Sequence, residues 1–174
     1  MKFSKEEKKF WQTHYHFDKP SQLHENWQQV WSVDGSEDDN FFYFFTLRVT
    51  TIIDVHLKDT LISDKAIKYM TKFTKLRSLY LRKHKNITKE SIQFFNQMES
   101  LESLNITRTQ ITLTDLCHNL NNQSLKEVFL DSDENEENIE EKAFILKDRM
   151  HNCNVYLNCS DEIDVFGNKE KPIV

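Results

Sequence analysis

The chain has 174 residues, 38% of them hydrophobic and 12% aromatic, which is enough apolar side chain for one domain with a core. Its net charge of -5 argues against nucleic acid as the partner, because such proteins need a dominant basic stripe to neutralise phosphates. Only two glycines occur, Gly35 and Gly167, so neither a GxGxxG fingerprint nor a Walker phosphate loop can be written anywhere.

The opening stretch, MKFSKEEKKFW, holds no apolar run of signal-peptide length, and no later run is long enough for a transmembrane helix, so the expectation is a cytoplasmic chain with no membrane partner. Ser4 and Glu7 stand at capping-box spacing and open a predicted helix that carries Phe10, Trp11 and Tyr15. Residues 1–25 are therefore read as an N-terminal helical cap. Trp27 and Val30 begin a strand-like pattern that Ser32 breaks. EDDNFFYFFTL, residues 37–47, then places carboxylates where a helix N-terminus favours them and follows them with an aromatic run for burial.

From Ile52 onward one phrase, apolar-x-x-apolar-x-apolar, returns. It reads Ile52/Val55/Leu57, Leu76/Leu79/Leu81, Leu101/Leu104/Ile106, Leu125/Val128/Leu130 and, more loosely, Met150/Cys153/Val155, a nearly constant period in the mid-twenties. Trp27/Val30/Ser32 is a degenerate copy one period before the first. Ser63, Thr88 and Thr112 follow three of the copies at N-cap positions, and apolar residues then recur at helical spacing, as in Ala66, Ile67, Met70 and Phe73. Each unit therefore reads strand, turn, helix, return. Residues 161–174, ending GNKEKPIV, read as a frayed tail.

This pattern resembles the leucine-rich repeat family, in its short helix-containing variety of the ribonuclease-inhibitor-like and F-box-associated type. The family pattern L-x-x-L-x-L-x-x-(N/C/T)-x-(L/I) is met well from Ile52 to about Leu130 and loosely from Trp27 to Asn158. The resemblance implies an α/β fold, a right-handed βα horseshoe of about five to six repeats over residues 26–160. Its parallel sheet would line the concave side and its helices the convex side. The ninth position, usually a regular asparagine ladder, is here Thr60, His84, Thr109, Asp133 and Asn158, so the turns should be uneven and the extra residue near His84 should bulge.

Most candidate chemistry fails on spacing. Asp131, Asp133 and Asn135 imitate an EF-hand, but Glu136 stands where the sharp turn needs glycine and Lys142 where a bidentate glutamate should close the shell. The acidic stretch is instead read as a turn placing Glu136 and Glu137 at the N-terminus of a helix over residues 136–148. His14 and His16 lack companion ligands, Glu140 and Glu141 diverge on a helix, and no GxSxG elbow exists. Cys117, Cys153 and Cys159 form no CxxC pair and are read as inert thiols. No metal, cofactor or catalytic set is expected.

Side chains alternate across a strand, so the positions between the apolar ones form three columns on the concave wall. The central column reads Trp31, His56, Tyr80, Asn105, Phe129 and Asn154; one flank runs from Gln29 through Asp54, Ser78, Ser103 and Glu127 to Asn152; the other holds Val33, Lys58, Arg82, Thr107, Asp131 and Tyr156. Aromatic residues and arginine anchor protein interfaces, so the candidate contacts are Trp31, His56, Lys58, Tyr80, Arg82, Asn105, Glu127, Phe129, Asp131 and Tyr156. Lys58 and Arg82 make the front of the wall basic, while Glu127 and Asp131 make the back acidic. The expected function is a non-enzymatic module binding one protein partner on this wall. A narrower version is an immunity or antidote protein that neutralises a toxin; a general adaptor or scaffold, or a metal-binding or enzymatic protein, is the alternative. Oligomeric state is not legible in the sequence.

Overall fold

In the computed structural model, residues 2–24, 26–132, 136–159 and 170–174 are described. The calcium-like positions Asp133 and Asn135 and most of the tail, residues 161–169, lie outside them. Six strands, β1 (Trp27–Val33), β2 (Ile52–Lys58), β3 (Ser78–Arg82), β4 (Ser103–Asn105), β5 (Glu127–Leu130) and β6 (Asn154–Leu157), form one all-parallel sheet in chain order. Parallel neighbours need crossovers. These contain α2 (Asp39–Phe45), α3 (Asp64–Met70), α4 (Ile92–Phe95, entered through a 3-10 turn at Lys89–Ser91), α5 (Leu113–Asn119) and α6 (Ile139–Arg149). Helix α1 (Lys5–Tyr15) precedes the sheet. The result is an α/β arrangement of successive βα units, solenoid-like in its order.

The apolar phrase supplies the register. Val30, Val55, Leu79, Leu104, Val128 and Val155 stand opposite one another across all six strands, every one of them buried. They share a single core cluster with helix residues such as Phe42, Ile67, Phe95 and Leu116. Ser32 pairs with Leu57 in the second core-facing row, where its hydroxyl donates to the Glu37 carboxylate instead of packing as a hydrocarbon. One part of the periodic reading needs correction. Val128 pairs with Val155, not with Cys153, so the last unit is longer than the others and Asn154, not Asn152, stands beside Glu127. The extra two positions fall between β5 and β6.

Neighbouring units are joined by carboxylates that reach one unit ahead. Asp39, at the start of α2, accepts from Ser63 N at 2.8 Å, Ser63 Oγ at 2.6 Å and Ala66 N at 3.2 Å. Asp64, at the start of α3, accepts from Thr88 N at 2.9 Å and Thr88 Oγ1 at 2.7 Å, and also from Ser91 Oγ. Each therefore satisfies orphan donors at the N-terminus of the following helix, beside its own N-cap hydroxyl. Glu136 does the reverse. The expectation that it opens its own helix is wrong: α6 starts at Ile139, and Glu136 reaches back to accept from Thr114 N and Thr114 Oγ1, both at 2.9 Å, on α5. An Asn138 cap in the left-handed region turns the chain so that Glu136 faces the preceding unit.

Strands β1, β2, β3, β4 and β6 each leave through a residue with positive φ, at Asp34, Asp59, Lys83, Arg108 and Asn158, conformations for which other chains favour glycine. In the segment leaving β3 the exposed turn falls at Lys85 and Asn86, and His84, next after Lys83, is itself buried. It is 2% exposed, with Nε2 accepting from Thr60 N at 3.2 Å and lying 3.0 Å from Thr60 Oγ1. An imidazole thus bonds the turn of the preceding unit, the role the asparagine ladder would have. Burial drives its pKa down to about 4, opposed in part by the Leu81 backbone and the Asp59 carboxylate.

At the front, the capping box is present, Glu7 N donating to Ser4 Oγ at 3.1 Å and Ser4 N to Glu7 Oε2 at 2.8 Å. Glu7 also accepts from Arg48 Nε, tying α1 to the segment after α2. Phe10 and Trp11 pack on Phe41 and Phe45. At the other end Ile173 N donates to Val155 O at 2.8 Å, so the last residues of the tail dock beside β6 rather than fray.

Candidate functional site

Strand alternation leaves the sheet face opposite the helices free of core residues at its front. Across β1, β2 and β3 it carries a row of rings. Trp31 is 66% exposed and leans toward His56, centroids 5.4 Å apart; His56 stacks on Tyr80 at 3.9 Å with planes 13° apart. The parallel register makes these three direct neighbours. Beside the row, Lys58 and Arg82 are opposite each other, both half-buried, and Arg82 Nη1 donates to the Tyr80 hydroxyl at 3.5 Å. Val33, in the same flank, is exposed. Five of the candidate residues, Trp31, His56, Lys58, Tyr80 and Arg82, therefore come together on one solvent-reached surface. Guanidinium beside stacked rings is a usual composition for an interface centre.

The back half differs. Asn105, Phe129 and Tyr156 are 3%, 4% and 2% exposed, so they offer almost no surface to a partner. Asn105 turns its amide oxygen onto its own turn, accepting from Thr107 N at 3.1 Å and Thr107 Oγ1 at 2.8 Å. Phe129 and Tyr156 are register neighbours and stack on each other at 4.7 Å. The reading of Tyr156 as a flank residue is thus corrected too: the shifted last register places it in the central column. Glu127 and Asp131 remain half-exposed, but Asp131 is engaged, accepting from Arg108 N at 2.7 Å.

Along the other flank a polar groove of 1070 Å³ runs past Asp54, Ser78, Ser103 and Glu127. Its wall neutralises itself. Glu102 binds Arg77 at 3.1 Å and Lys126 at 2.8 Å, and hydrogen bonds from these two cations hold its carboxyl below the usual range. No group of three or more metal-ligating side chains occurs among the described residues. Cys117 and Cys153 are buried, and burial pushes the Cys153 thiol up to about 12, against nucleophilic use. No helix among the described residues is long and apolar enough to cross a membrane.

Neither the protein-family models nor the curated proteins compared with the chain gave a match.

Periodicity identified the columns but not their exposure. Sequence reasoning missed Glu37 and the clamps at Asp39 and Asp64. The clamps leave a weak signal, an acidic residue just after the N-cap of a helix, repeated one period later.

Proposed function

We propose that this chain is a leucine-rich-repeat-type solenoid, its sheet on the concave side, acting as a non-enzymatic module that recognises a protein partner. The observation that carries the reading is the row Trp31, His56 and Tyr80, exposed at its head and flanked by Lys58 and Arg82 on adjacent strands. Rigid rings lose little conformational freedom on binding, and a strand-borne row keeps them in place before the partner arrives. The contact surface is the front half of the wall. The front cations favour a partner with an acidic patch at that position.

The test is affinity purification of the protein from its native host alongside Trp31→Ala and Arg82→Glu, with Phe144→Ala on α6 as a control on an exposed helix position. A partner retained by wild type and control and lost from both open-face variants supports the reading. Retention by all four contradicts it. One stoichiometric partner would support the antidote reading, and a spread of weaker ones would count against it.

A further inference from the structure

Between α1 and the outer side of β1 lies a crevice of 280 Å³, bordered by His14 and Tyr15, by Trp27 and Trp31, and by Phe41 and Glu37. Gln29 and Val30 complete the border, so five of its eight side chains are aromatic rings, Phe41 among them almost closed to solvent, and one is a carboxylate. The rings are set at angles around the space: Tyr15 meets Trp27 edge to face at 5.0 Å, and His14 meets Phe41 the same way at 5.1 Å. No lysine or arginine is among the residues bordering it. Its volume falls just under the range of about 300–1,000 Å³ for drug-sized ligands, which suits a single head group.

Local backbone sets the position of Glu37. Ser32 donates to one of its oxygens, and a Cβ on Gly35 would overlap both Ser32 Oγ and the Glu37 carboxylate, so glycine is what lets this carboxylate fold back over the turn. Burial, with Glu37 adding to it, drives the Tyr15 phenol pKa far up, which keeps that ring neutral. Ring faces carry negative potential and attract cations, most strongly when the site also excludes water.

We infer that this crevice binds an organic cation, an alkylammonium or guanidinium head group seated against the ring faces with Glu37 as its counter-charge. The inference goes beyond the proposed protein recognition and does not depend on it: a free quaternary ammonium and a lysine or arginine side chain present the same chemistry.

The experiment follows the indole signals of 15N-labelled protein at about pH 8, where an ordinary imidazole is neutral. Three probes are titrated: choline, its uncharged isostere 3,3-dimethylbutan-1-ol, and N-acetyl-lysine methylamide as a side-chain model. Choline or the lysine model should shift Trp27 and Trp31 saturably in the millimolar range while Trp11, fully buried, stays in place. The alcohol should bind at least about tenfold more weakly than the better cation. Glu37→Gln, and Gly35→Ala through displacement of Glu37, should each weaken that cation by about tenfold with melting curves near wild type. Tighter binding of choline assigns a free ammonium, and tighter binding of the lysine model assigns a partner's side chain. Equal binding of alcohol and cation, or no saturable shift with either cation, overturns the inference. Neither outcome bears on partner capture through Tyr80 and Arg82.

Discussion

Leu79 and Tyr80 are adjacent on β3 and serve opposite faces of the sheet. Leu79 is fully buried, so Leu79→Ala should lower stability by about 2 to 5 kcal/mol, through lost burial and the cavity left behind. Tyr80→Ala removes chiefly the stack on His56 and should cost about 1 kcal/mol. Phe129 belongs to the same column as Tyr80 yet is nearly closed to solvent, and Phe129→Ala should behave as a core change of about 3 kcal/mol. Urea unfolding of the three variants ranks them; a benign Leu79→Ala with an unfolded Tyr80→Ala would mean the register is wrong by one. His84 makes a separate pH prediction. Its folded pKa is depressed from 6.5 to about 4, so between these values the unfolded chain binds the proton and the folded one does not. The His84 contribution to stability should therefore fall with acidification across that window, by about 3 kcal/mol in all, and that contribution alone should level off below it. His84→Asn keeps an acceptor and cannot titrate, so the difference between the two stability-against-pH curves should contain this slope alone.

At the level of elements, what joins one βα unit to the next is as much polar as apolar. Asp64 gathers three donors at the entry to the following helix, one of them a backbone amide. Asp64→Ala should lower stability by about 2 kcal/mol, because it strands the Thr88 amide and hydroxyl at a half-buried junction. A double-mutant cycle with Thr88→Ala should show strong coupling, whereas the same cycle between Asp64 and Thr112 should be additive. The helices themselves were legible: N-caps at Ser63, Thr88 and Thr112 each receive the expected backbone amide. Their second acceptors were not, since Asp39 lies a whole unit before Ser63 and no local rule connects the two. Glu136 shows the same blindness from the other side. A carboxylate shortly before a helix satisfies a local preference, but tertiary placement hands it to Thr114.

Across the entire protein, a row of stacked units leaves its first apolar face open unless something covers it. Helix α1 covers it with Phe10 and Trp11, and the Glu7–Arg48 pair fastens the lid, both partners being largely shielded. Glu7→Gln should cost about 2 kcal/mol, between the values for exposed and fully buried pairs. The Arg48 hydrogen bond holds the Glu7 carboxyl below its ordinary 4.5, so this contribution is present above that pH and is lost as acid carries the solution down through the lowered value. Thermal melts of wild type and Glu7→Gln should therefore converge in acid; a constant gap down to the lowest pH would show that the charge is not what matters. The period, the alternation within each strand, the caps and the aromatic lid could all be read along the chain, because these are relations among near neighbours in one sequence. It took packing in space to leave Trp31 exposed while closing Phe129 and Tyr156, to slip the last register by two, to put His84 in place of a ladder amide, and to bring Glu37 to a ring of aromatics. Each of those depends on a neighbouring unit or segment packed alongside, and periodicity specifies which face a residue takes but not what lies against that face.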